Sequence, residues 1–275
     1  MKNVLILTDF SACALNATHY AIHFLKNETC CFYLMHVHKS GSFTMDDLMS
    51  SATANVYESV LKVEKEQLQK VLDELKQSSQ NDKHEFHSIL DYDTFLQATH
   101  RIIEEKKIDL LVAGYNGVSN VKEIIFGSHT LSIIRKINCN TLVIPEDVTN
   151  STPKTMLVLL DEKDEIESEA FDRILRTAEQ HSLHVHIVRV YEKPMTQPRY
   201  DESYLMKQCT HINYTYKVIQ NVPLHYVKSA YMQLHEIDMI GLIVQKESVF
   251  ERIFKQSSVT EISKALKKPL FVTHP

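Results

Sequence analysis

The chain holds five glycines in 275 residues, and three of them, Gly114, Gly117 and Gly127, stand close together. An apolar run from Leu110 to Ala113 leads into the first, and Ser128 and Thr130 follow the last, where a helical pattern begins. Glycine lets a backbone approach a ligand closely and adopt φ > 0. A helix N-terminus presents unpaired N–H groups to an anion. The spacing therefore describes a phosphate cradle between a strand end and a helix start. Asp9 follows another apolar run, Val4–Leu7. Its carboxylate at a strand end suits a ligand contact and suits equally the capping of the next helix.

Other chemistry is less complete. His36/His38 and His184/His186 each share one strand face and offer two metal ligands, short of a full site. Histidines on strands and surfaces are more often structural, and no metal ligands are assigned. Cys30 and Cys31 alternate faces, so one thiol enters the core and the other the opposite face. The chain contains no Gly-x4-Gly-Lys-Ser/Thr loop, no Gly-x-Ser-x-Gly elbow and no His-Glu-x-x-His helix. No catalytic residue is assigned.

The elements that must carry the cradle alternate. Val4–Leu7 reads as a strand buried on both faces. A helix over 11–25 follows, then a strand over 31–37, a loop over 39–49 with Gly41, and a long amphipathic helix carrying Val56, Val60, Val63, Leu68, Val71 and Leu75. The Lys62–Lys76 charge run is its solvated face. Strand, helix, strand, helix and strand follow over 84–90, 94–106, 108–113, 128–136 and 140–144. Such alternation predicts a parallel sheet with right-handed crossovers. In these sheets ligands bind beyond the carboxyl ends of the strands, where Asp9, Val37 and Gly114 fall.

After Pro145 the pattern restarts. Met156–Asp161 echoes Val4–Asp9, Ile237-Asp238 echoes Ile108-Asp109, and Pro269–Thr273 echoes Asn140–Ile144. The first pair is offset by 152 residues and the second by 129, so the second copy is 23 residues shorter in its middle helices. The expected organisation is a domain at 1–146, a polar linker at 147–154 and a second domain at 155–275, each a flavodoxin-like or Rossmann-like five-stranded parallel sheet flanked by helices. At the 129 offset, Gly114, Gly117 and Gly127 become Ile243, Lys246 and Gln256, and only the serine survives, as Ser257. The second copy thus lacks the cradle, and Asp161 there reads as a helix cap.

A net charge of −5 without a basic block gives no nucleic-acid surface, and no apolar run is long enough for a membrane span. Five cysteines without zinc or redox spacing suit a reducing, cytoplasmic setting.

The spacing Gly-x2-Gly-x9-Gly-Ser, with Thr8-Asp9-Phe10-Ser11, His36-Val37 and Ile108–Gly114, resembles the universal stress protein family. The resemblance spans residues 1–146 and, more weakly, 154–275. It implies ATP, or ADP or AMP, with Mg accompanying the nucleotide. Asp9 and Val37 would hold the adenosine end. Ala113, Gly114, Asn116, Gly117, Gly127, Ser128 and Thr130 would hold ribose and phosphates. Asn116 stands where some binding members carry a basic residue, which implies weaker phosphate affinity unless Lys122 supplies the charge. The resemblance also implies a stress-response role and an intramolecular pseudo-dimer packed through Thr141–Ile144 and Leu270–Thr273, with a homodimer as a further level. Two alternatives stand beside it: a nucleotide-independent interaction scaffold, in which the glycine loop is only structural, and a slow ATPase.

Overall fold

A computed structural model describes residues 1–38, 51–115, 128–194, 201–244 and 268–275. The predicted loop at 39–49 lies outside them. The first half runs β1 (Lys2–Leu7), α1 (Ala12–Phe24), β2 (Cys30–Val37), α2 (Ser51–Ser79), β3 (His84–Asp91), α3 (Phe95–Lys106), β4 (Leu110–Tyr115), α4 (Ser128–Lys136) and β5 (Thr141–Pro145). The second runs β6 (Thr155–Leu160), α5 (Glu169–Gln180), β7 (His184–Tyr191), α6 (Glu202–Gln208), β8 (Tyr214–Gln220), α7 (Leu224–Leu234), β9 (Met239–Ile243) and β10 (Leu270–Thr273).

The strands form one sheet, in the order β3-β2-β1-β4-β5-β10-β9-β6-β7-β8. Each half is parallel throughout, and the halves join at β5 and β10, which run antiparallel with Phe271 opposite Leu142. Two separate five-stranded sheets would leave two exposed edges here. Main-chain pairing removes both. Register confirms the repeat: Val4 pairs with Leu110 as Met156 pairs with Met239, and Leu111 with Thr141 as Ile240 with Leu270. The deficit arises between the second and third strands, where the 29-residue α2 is matched by the 7-residue α6.

Strand alternation feeds different cores. Val4, Ile6, Phe32 and Leu34 face a core that continues through Met156, Val158 and Phe271 of the second half. Leu5, Leu111 and Ala113 face the opposite side, under α3 and α4. On α2 the buried stripe is Leu68, Leu72 and Leu75, one helical face, while Val63 is 60% exposed and lies outside the stripe expected of it. The paired aspartates of the repeat are structural. Asp109 accepts the Asn3 N–H at 2.8 Å, and Asp238 accepts the N–H groups of Lys154 and Thr155 at 2.8 and 3.1 Å. The segment between the halves is held down. Asn16 donates to the carbonyls of Pro145, Glu146 and Val148, and Pro153 is buried.

Candidate functional site

In the first half the chain leaves β1 for β2 on one side and reaches β4 on the other. The crevice beyond β1 and β4 is therefore the topological switch point. The turn out of β1 is held by consecutive side-chain caps. Phe10 N–H donates to Thr8 Oγ1 at 3.0 Å and Ser11 N–H to Asp9 Oδ1 at 3.0 Å. Phe10 takes φ 65°, uncommon for a bulky residue, and its ring lies 4.4 Å from that of His36. The cap of α1 is Ser11, whose hydroxyl accepts from Ala14 N–H. Asp9 is thus not the helix cap. It stays exposed at the strand end. Burial raises its pKa, but hydrogen bonds from the Ser11 hydroxyl and N–H outweigh that, and nearby His36 helps hold the carboxyl below its usual range. It is ionised at neutral pH.

Beside it, His36 Nδ1 donates to the Thr8 carbonyl at 2.8 Å, which leaves Nε2 3.7 Å from Glu64 on α2. His38 Nδ1 bonds the same carboxylate at 2.9 Å. The two histidines are therefore committed to a helix carboxylate. They are not among the described groups whose ligand atoms converge within 4.8 Å, and neither are His184 and His186.

At the end of β4 the sequence-predicted residues separate into distinct roles. Ala113 is buried in the core under α3 and α4, and Val37 closes β2 opposite Asp91. A Cβ at Gly114 would lie 2.9 Å from both the carbonyl oxygen and the sulfur of Cys13. The bare backbone at this glycine is therefore used by the first turn of α1, and no positive φ is involved. Thr130 is buried, and its hydroxyl donates to the Gly114 carbonyl at 3.2 Å, tying α4 to β4. That proton is not available to a phosphate while the bond is made. Ser128 opens α4, with its hydroxyl outside the description, and Asn116, Gly117, Lys122 and Gly127 lie outside the described residues.

The equivalent crevice of the second half is filled. Arg189, at the His36 position of the repeat, is fully buried, and its Nε donates to Asp201 Oδ2 at 2.8 Å. Its Nη1 donates to the carbonyls of Asp161 and Asp164. Tyr216 donates to the same Asp201 oxygen at 2.9 Å. Asp161 is 1% exposed and closes a tight turn, accepting the N–H groups of Lys163 and Asp164. Ser168, not Asp161, caps α5, so the expected capping role of Asp161 is corrected. Ile243, at the Gly114 position, sits in the core with Ile166. Sequence spacing shows the glycine loss but not Arg189, because one arginine in an apolar strand gives no sign of its buried partner 12 residues on.

Residues 1–145 match the Universal stress protein family. The chain belongs to that family. Universal stress protein MJ0577 of Methanocaldococcus jannaschii is 30% identical over 154 residues, 52% of this chain and 94% of that protein. A universal stress protein structure from Archaeoglobus fulgidus superposes with a TM-score of 0.65 at 18% identity, covering 99% of this chain and 98% of that one. A putative universal stress protein from Pseudomonas aeruginosa gives 0.56 at 10% identity, covering 100% and 94%. At these identities the likenesses show the fold, and they show it along the whole tandem chain. Among the described residues no helix is long and apolar enough to cross a membrane.

Proposed function

We propose that this universal stress protein binds one adenine nucleotide, ATP or its ADP or AMP counterpart, at the β1/β4 crevice of its first half, with Mg accompanying the phosphates. The observation that carries the reading is the contrast between the two crevices. In the first, an ionised Asp9 stands exposed at the switch point. In the second, Asp161 is buried and the space is taken by Arg189, Asp201 and Ile243. The family spacing Gly-x2-Gly-x9-Gly-Ser supports the choice of ligand, and the second half carries no trace of it beyond Ser257.

In this reading Asp9 and the backbone at Val37 hold the adenosine end. The backbone at Ala113 and Gly114, with Asn116, Gly117, Gly127 and Ser128, holds ribose and phosphates, and Thr130 positions α4 rather than touching phosphate. Nucleotide acts in the stress response by favouring one arrangement of the chain over another, which requires different affinities for the two. Mass spectrometry of small molecules released from freshly purified protein tests the proposal. An adenine nucleotide near one equivalent per chain is expected. A chain that carries none, and takes up none when ATP is added, favours a nucleotide-independent scaffold.

A further inference from the structure

Among the described residues, one set of three side chains brings potential metal-ligand atoms within 4.8 Å of one another: Cys31, Glu85 and His87. It lies away from the crevice, near the opposite ends of β2 and β3, and β3 is the outer edge of the sheet. We propose that these three residues bind a zinc-class divalent ion at the sheet edge, with a fourth coordination position open to water.

The backbone presets the ligands. Cys31 and Glu85 are register partners across the parallel β2–β3 ladder, and Glu85 and His87 are two residues apart on one strand face. His87 is backed by Tyr33, whose ring stacks 5.4 Å away at 23°. Its Nε2 lies 3.9 Å from Glu85 Oε2, the separation two ligands of one tetrahedral ion require to within a small rotamer adjustment. Burial grades outward: Cys31 is 2% exposed, while the Glu85 and His87 side chains are 63% and 53% exposed. An ion would therefore sit over the thiol, with solvent on its outer side. Sulfur, imidazole and carboxylate together select zinc and its neighbours over magnesium or calcium. Binding is proton-balanced: the Cys31 S–H loses its proton to solvent as the S–metal bond forms, while neutral imidazole and ionised carboxylate donate lone pairs.

The repeat does not impose this set. In register, the second half carries His184, Asn213 and Thr215 at the same places, and the Thr215 hydroxyl engages His186 Nδ1 at 3.0 Å. The remaining thiols leave the test clean. Cys13, Cys30, Cys139 and Cys209 are buried, and none belongs to a described group whose ligand atoms converge.

Titrating the full chain, freed of metal, with Co(II) reads the site directly. One equivalent should give a near-ultraviolet thiolate-to-cobalt charge-transfer band and the visible bands of a tetrahedral ion, both bleached by Zn(II). Cys31→Ser should abolish the charge-transfer band. The exposed-site variants Glu85→Gln and His87→Gln, which leave the core untouched, should each weaken binding by at least about tenfold, the loss usual for even an outer-shell partner. No band in the unmodified chain, a band that survives Cys31→Ser, or affinity unchanged in both exposed-site variants would overturn the assignment.

Discussion

Gly114 and Ile243 occupy one position of the repeat, and the difference between them shapes the turn beside each. Glycine at 114 admits the Cys13 carbonyl, so α1 begins three residues after Asp9. Isoleucine at 243 fills that space, and α5 begins eight residues after Asp161, behind a turn clamped by Arg189. Gly114→Ala should cost about 1–3 kcal/mol, because the new Cβ meets the Cys13 carbonyl as well as its sulfur, and the backbone cannot swing aside as a side chain can. A urea-unfolding midpoint checks this. Asp201→Ala should cost more, about 3–5 kcal/mol by the same measurement, since it strands the Arg189 guanidinium in a dry interior. The glycine concentration in the sequence points to ligand approach, but at Gly114 the space is claimed by a helix. Residue type alone cannot separate these roles, because both need the missing Cβ.

At the level of elements, most of the fold is legible in the chain. Continuous apolar runs mark the strands, small and capping residues mark α1, and the two offsets bracket the shortened stretch between β6 and β9; its place between β7 and β8 comes from the pairing register. The joining of the halves through β5 and β10 follows less directly. Periodicity identifies an edge strand but not the main-chain partner that covers it. The long α2 shows a further limit: Val63, counted in the expected stripe, lies 60% exposed, because five residues at helical pitch set it about 140° around the helix from Leu68. The filled second crevice predicts that opening it at one residue restores nothing. Ile243→Ala should destabilise the chain by about 2–5 kcal/mol through the cavity it leaves. It should add no second nucleotide site in equilibrium dialysis, since Arg189, Asp201 and the late start of α5 remain.

Across the whole molecule, titrating groups link the halves to pH. Glu28 lies in the turn between α1 and β2 and meets His181 of the second half at 3.2 Å and Lys2 at 2.7 Å. Burial would raise its pKa, but the hydrogen bonds from His181 and Lys2 prevail and bring it from 4.5 to about 2. A depressed carboxylate gives stability that is complete above the unfolded value and is lost as pH falls from about 4.5 toward 2, worth up to about 3 kcal/mol. His186 adds an earlier loss. Burial first, then His184, His235 and Lys217, hold it near 4 against an ordinary 6.5. The unfolded chain therefore gains that proton before the folded one does, and stability falls between those values. Thermal midpoints should decline in two stages on acidification. Glu28→Gln should flatten the lower stage and His186→Gln the upper.

The central claim is one open crevice and one closed crevice in a single chain. Isothermal titration of the full chain with ATP tests it most directly, alongside Asp9→Ala and Asp161→Ala variants. The account predicts one site per chain, weakened at least about tenfold by Asp9→Ala, as expected when a hydrogen bond to a charged group is lost. Asp161→Ala should leave the site intact. Two equivalent sites, or a single site that Asp161→Ala removes and Asp9→Ala spares, would contradict it.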